Sequence, residues 1–266
     1  RARVATHLKL YHQSKELQVL NETLDQRVLE RTRQLESANK ELAFHLREIE
    51  QFSFIASHDL QEPLRTLINF TSLLQKDYGG KLDEEGEKYL DFISGSANRM
   101  RKLVTGLLEY ALLGKESVSS LVDCNKLVHE VLLDLSDSIR LADPCINVHS
   151  LPAINGYPIE LRLLFQNLIN NAIKFRRKEV RPKITITAEN HEKEWLFSIA
   201  DNGTGIKERD REKVFIIFKR MHRQKEYPGT GIGLAHCKKI VELHRGSIWV
   251  ESNMEGGSTF RFTIPI

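Results

Sequence analysis

Residues 229–250 read GTGIGLAHCKKIVELHRGSIWV. Gly229, Gly231 and Gly233 fall within five positions and run straight into an amphipathic stretch. Ordering glycine is costly in backbone entropy, so the repetition needs a use. One use is a phosphate cradle, in which backbone N–H groups approach an anion beside a helix N-terminus. The alternative is a plain loop ahead of a helix, and Gly-x-Gly-x-Gly by itself does not separate the two.

The segments around this stretch alternate in period. Helical patterning covers 123–142, 157–176 and 231–244, while KITITAE, WLFSIADN, GSIWVES and STFRFTIPI read as strands. That order predicts an α/β sandwich over residues 121–266, with helices packed on a mixed or antiparallel sheet. A short linker is expected from 113 to about 121.

Further upstream the pattern is wholly helical. Residues 1–52 contain no proline and no glycine. Leu10, Leu17 and Leu24 form one seven-residue series and Val28, Leu35, Leu42 and Ile49 a second, offset by four and three as in a coiled-coil seam. Asn21 takes an a position, while Arg31, Ala38 and His45 weaken the d series. A parallel dimer is the natural assembly, and a long helix packed on another domain is the alternative. The helix is expected to continue past Pro63, because Leu60, Leu64, Leu67, Phe70 and Leu74 keep steps of three and four. YGGKLDEEG reads as a hairpin loop. A second amphipathic helix follows, striped by Leu90, Ile93, Ala97, Met100, Leu103, Val104, Leu107 and Leu108. Two such helices per chain would make a four-helix bundle in a dimer.

Three further pieces carry polar chemistry. In FQNLINNAIKF (165–175), Asn167 and Asn171 share a helical face, with Asn170 one step round. Asparagine is a poor interior helix residue, so the cluster suggests a polar task. Amide oxygens there can hold Mg²⁺ that also carries phosphates, with Lys174 in reach of a phosphate; a solvated polar face is the alternative. In IADNGTGI (199–206), Asp201 ends a strand and can accept from an exocyclic amine such as adenine's, while Gly203 and Gly205 let the backbone pass close to a base. An Asp-Asn-Gly turn is the plain alternative. EGGSTF (255–260) is a turn before the last strand.

Taken in order, with the aromatic segment VFIIFKRMH between the second and third pieces, these motifs resemble the ATP-binding domain of sensor histidine kinases. That domain belongs to the ATPase superfamily shared with gyrase, Hsp90 and MutL (the Bergerat fold). FSFIASHDLQEPLRTL resembles the HisKA dimerisation and phosphoacceptor motif, and HDLQEPLR with FKRMHRQKEYPGTGIGLA is most similar to the phytochrome-type branch. The resemblance implies a coiled-coil signalling helix over 1–52, a dimerisation and phosphotransfer hairpin over 53–114 and a catalytic ATP-binding domain over 121–266. It implies His58 as phosphoacceptor, with Asp59 assisting as acid/base. It implies ATP and Mg²⁺ as cofactors, with Asn171 as metal ligand and Asn167 in support, Lys174 and Phe175 beside the nucleotide, and Asp201, Gly203 and Gly205 at the base. Phe215 and Phe218 would lead into a lid over 219–228; Gly229, Gly231, Gly233 and Leu234 would follow it, and Thr259 would complete the pocket. Glu62 stands where phosphatase-competent relatives carry Thr or Asn, which implies weak phosphatase activity. The implied reaction is autophosphorylation of a homodimer, followed by transfer to a response-regulator receiver domain. A degenerate, non-catalytic scaffold and another ATPase of the superfamily are the competing readings. RARVATHLKL resembles the last helix of a receiver domain, and LERTRQLESANKEL a signalling helix.

The bulk composition fits this picture. A formal net charge of +3 with 28% charged residues argues against a broad nucleic-acid-binding surface. No apolar run is long enough to cross a membrane. Cys124, Cys145 and Cys237 are scattered, in no metal-like spacing, as expected of a reducing cytoplasm. A chain beginning at Arg1 rather than Met is expected to be a fragment of a longer protein.

Overall fold

The computed structural model describes residues 2–115, 118–219 and 230–266. Residues 1–53 and 54–266 form two compact units. In the first, helix α1 (Ala2–Tyr78) begins, and Leu17, Leu24, Val28, Leu35 and Leu42 of the heptad series are exposed on it. The side chain of Ile49 lies outside the described residues.

Helix α1 carries on into the second unit and passes through Pro63, as its apolar pattern requires. Proline has no N–H, so the helix ladder lacks one rung there. After the turn, α2 (Glu84–Leu112) starts where the Asp83 carboxylate accepts from the Gly86 amide at 2.8 Å. Glu84, Glu85 and Glu87 in its first turn suit the positive end of the helix dipole. Gln75 and Asp91 bond across the hairpin at 3.2 Å. Leu64, Thr71, Leu90 and Ala97 are buried, whereas Leu60, Leu67, Phe70, Leu74, Ile93 and Met100 leave an apolar surface uncovered.

The rest of the second unit is an α/β sandwich. Strand β1 (Ser120–Asp123) pairs antiparallel with β3 (Ala153–Gly156) in a small sheet. Asp123 ends β1 and caps α3 (Cys124–Asp134), accepting from the amides of Asn125 and Lys126. Helix α4 (Ser136–Ala142) follows a break at Leu135, so the single helix expected over 123–142 is two. The expected linker is also shorter, since β1 opens at Ser120. Strand β2 (Cys145–Val148) was not anticipated either.

The main sheet has the order β2-β4-β5-β7-β6, with β4 (Lys183–His191), β5 (Glu194–Asp201), β6 (Ile248–Ser252) and β7 (Ser258–Pro265). Only β2–β4 is parallel, so the sheet is mixed. One face carries Ile184, Ile186, Phe197, Ile199, Phe260, Phe262 and Ile264 into the core, where they meet α3, α5 (Pro158–Lys174) and α6 (Gly233–Leu243). Phe165 of α5 sits edge-on to Phe197 and Phe262, which stack at 4.9 Å between ring centroids. Cys124 and Cys237 are buried free thiols and Cys145 is an exposed one. Burial, aided by Asp123, pushes the Cys124 thiol up to about 12, and burial pushes Cys237 up too.

Within this unit the end of α2 docks on α6. The His236 ring stacks on Tyr110 and its Nε2 lies 3.1 Å from the Gly106 carbonyl. Lys239 donates to the Tyr110 carbonyl at 2.6 Å and lies over its ring. A Cβ on Gly106 would come within 2.7 Å of the Ile232 Cδ1, so a larger residue there would have to displace the end of that side chain. No helix among the described residues is long and apolar enough to cross a membrane.

Candidate functional site

Helix α5 lays out the asparagine cluster. Leu161, Leu164, Phe165, Leu168 and Ile169 face the core. That phase leaves Asn167 and Asn171 half-buried along one edge and Asn170 exposed. The α6 N-terminus meets this edge: a Cβ on Gly233 would stand 2.7 Å from the Asn167 Oδ1. Gly233 thus lies close against the Asn167 side chain, and a larger residue there would have to displace that amide. Among the described residues the first turn of α6 has no side-chain cap, and the buried Asn167 Nδ2 has no hydrogen-bond partner. An uncapped helix N-terminus and an orphaned buried amide suit a phosphate-bearing ligand. A neighbouring Asn171 amide oxygen suits a hard cation that keeps phosphate and water as its other ligands. No group of three or more His, Cys, Asp or Glu side chains among the described residues makes a protein-only metal site.

Past the end of α5 the chain turns back toward the sheet. Lys174 lies over the Phe175 ring at 4.6 Å. The Phe175 carbonyl accepts from the Thr204 amide at 3.0 Å. A Cβ at Gly203 would sit 2.5 Å from that same carbonyl. Gly203 thus lets the loop after β5 press against the end of α5.

Asp201 ends β5 on the core side, two residues on from Ile199. Its Oδ1 accepts from the amides of Gly203 at 2.8 Å and Ser258 at 3.2 Å. Burial pushes this carboxyl above its ordinary 3.8, while the two amides and Arg177 hold it down. Gly205 adopts φ 72° against the Gly256 carbonyl.

Thr259 falls elsewhere than expected. It pairs with Ala200 and Glu251, whereas Ile199 pairs with Phe260. Directly paired residues share a face, so Thr259 points away from Asp201 and Ser258 takes the neighbouring place. Phe215 is buried in the core, while Phe218 is exposed with φ 63°, a region a phenylalanine rarely takes. The Phe218 amide donates to the carbonyl of Gly231, itself at φ 76°, at 3.0 Å. Leu234 packs partly against the core. Residues 220–228 of the expected lid and Gly229 lie outside the described residues. His58, Asp59 and Glu62 fall within α1; Asp59 and Glu62 are exposed, and the His58 side chain lies outside the description.

Two family models match the chain. "His Kinase A (phospho-acceptor) domain" matches residues 48–116 and "Histidine kinase-, DNA gyrase B-, and HSP90-like ATPase" matches 156–266. Cyanobacterial phytochrome A of Nostoc sp. strain PCC 7120 is 42% identical over 220 residues, which are 82% of this chain and 29% of that protein. Phytochrome-like protein Cph1 of Synechocystis sp. strain PCC 6803 is 41% identical over 235 residues, 88% of this chain and 30% of that protein. The chain thus spans less than a third of the length of these relatives. Among solved structures, full-length ShkA in complex with AMPPNP matches with a TM-score of 0.61 at 25% identity, over 81% of this chain and 45% of that one. Histidine kinase ThkA in complex with the response regulator protein TrrA matches with a TM-score of 0.56 at 25% identity, over 83% of this chain and 64% of that one.

Proposed function

The chain belongs to the histidine kinases that join a HisKA phospho-acceptor domain to an ATPase domain, and from that membership we propose that it phosphorylates itself on His58. The observation that carries the reading is the approach of Gly233, at the start of α6, to the Asn167 side chain, in the same domain as the buried Asp201 that ends β5. Asp201 reads the adenine amine through the carboxylate oxygen left by Oδ1. The α6 N-terminus and Lys174 draw in the phosphates. Asn171 would hold Mg²⁺, which neutralises charge on the transferring phosphoryl group when bound.

A neutral imidazole nitrogen of His58 attacks the γ-phosphorus, an N–P bond forms and ADP leaves. Asp59, its neighbour in sequence, orients the ring and stabilises the positive charge that develops. The phosphoryl group then passes to an aspartate of a receiver domain, a partner class that fits the ThkA complex with its response regulator protein. A second copy of this chain would cover the apolar surface of α1 and α2, making a homodimer. A cytoplasmic location fits the ATP supply and the three free thiols.

The test is labelling with γ-phosphate-labelled ATP. Wild type should gain acid-labile label, and His58→Gln should lose it while still binding ATP. Undiminished label in His58→Gln would defeat the assignment of the nucleophile.

A further inference from the structure

We propose that Arg177 is a positioning residue that sets the base selectivity of this site, by pinning together the two loops that present Asp201. The proposal rests on Asp201 being the base-reading group. Arg177 follows α5 and reaches both loops at once. Its Nε donates to the Gly203 carbonyl at 3.0 Å and its Nη2 to the Glu255 carbonyl at 3.0 Å. Asp201 grips the same loops through their amides, Gly203 at 2.8 Å and Ser258 at 3.2 Å. Gly203 is thus held at its N–H by Asp201 and at its C=O by Arg177. The turn is shaped for the guanidinium: a Cβ on Gly256 would come within 2.5 Å of Arg177 Nη2, and Gly256 takes φ 79°.

The clasp has an electrostatic side. Burial favours the neutral form of Asp201; the two amides and then the Arg177 charge oppose it. Glu255 of the second loop pairs with Lys183 at the start of β4 at 2.6 Å. A carboxylate only accepts, so it takes the amine of adenine and refuses the carbonyl that guanine carries at the same place. A protonated carboxyl donates and can take guanine. Losing the Arg177 charge moves Asp201 toward that form, and losing the two-point clasp frees the carboxylate to turn.

The experiment measures binding of ATP and of GTP to the full chain by calorimetry, from neutral to acid pH. In Arg177→Gln the preference for ATP should fall, and more steeply as the pH is lowered. The loss should set in at higher pH than in wild type. Arg177→Lys keeps the charge but not the fork, so its preference for ATP over GTP should also fall, with the wild-type pH profile. Should Arg177→Gln fail to fold, Arg177→Lys carries the test, and a wild-type preference there overturns the proposal. Asp201→Asn separates the two levels. If it loses the preference while Arg177→Gln keeps it, the role of Arg177 is wrong and the base reading stands. If it keeps the preference, the base reading falls as well.

Discussion

Glu62 stands one helical turn after position 58, and its carboxylate is exposed on α1. A water attacking a receiver's acyl phosphate at that place would have an anion beside an anionic phosphoryl group. At about 4 Å in a water-like dielectric the repulsion is about 1 kcal/mol, roughly a fivefold rate effect. We therefore predict that Glu62→Thr speeds loss of label from a phosphorylated receiver several-fold, with autophosphorylation kept. Equal rates for variant and wild type would show that Glu62 does not restrain hydrolysis. Single residues also mark the limits of reading a sequence. The places of Asp201 at the end of a strand and Gly233 at the start of a helix were legible because carboxylate and glycine sit at informative spacings. The core-side place of Ser258 was available in the alternation of Phe260, Phe262 and Ile264, which puts Thr259 on the opposite face of the sheet. Arg177 was not legible: it acts across 26 positions to Gly203 and 78 to Glu255, and local pattern carries no trace of that.

Among the elements, the contact between α2 and α6 turns on His236, which is buried against Gly106 and Tyr110. Burial lowers the affinity of its ring for a proton below the ordinary 6.5; the Gly106 bond opposes this and Lys239 adds to it. The unfolded chain then binds more protons than the folded one just below pH 6.5. The stability from this contact is full above 6.5 and is lost as pH falls from there toward the lower folded value, at about 1.4 kcal/mol for each unit of difference. Thermal unfolding of wild type should therefore weaken with acid over that interval. His236→Phe keeps a ring on Tyr110 but cannot titrate, so its profile should be flatter. Parallel profiles would place the pH sensitivity elsewhere. The long helices were readable because each repeats its apolar period over many turns. Strands β1, β2 and β3 were missed because four residues are too few for alternation to declare itself. Asp123, which both closes β1 and caps α3, reads from sequence only as a helix start.

At the scale of the whole molecule, the order of motifs was enough for the architecture: a helical hairpin, then helices on one face of a mixed sheet. The docking of hairpin on ATPase domain was not readable, since Tyr110 and His236 meet only after both parts have folded. The fate of the three thiols has a practical consequence. Cys124 and Cys237 are sealed in the core with their thiolates suppressed, and Cys145 lies open on an edge strand. A maleimide dye needs an accessible thiolate. At neutral pH the native protein should take one dye, and the denatured chain three, one for each cysteine. Mass spectrometry of the conjugate counts them directly; two or more dyes on native protein would mean that the core opens on the labelling timescale. The chain thus arrives with a single-site fluorescent handle at the far edge of the sheet from β6, and domain movement can be followed without engineering a cysteine.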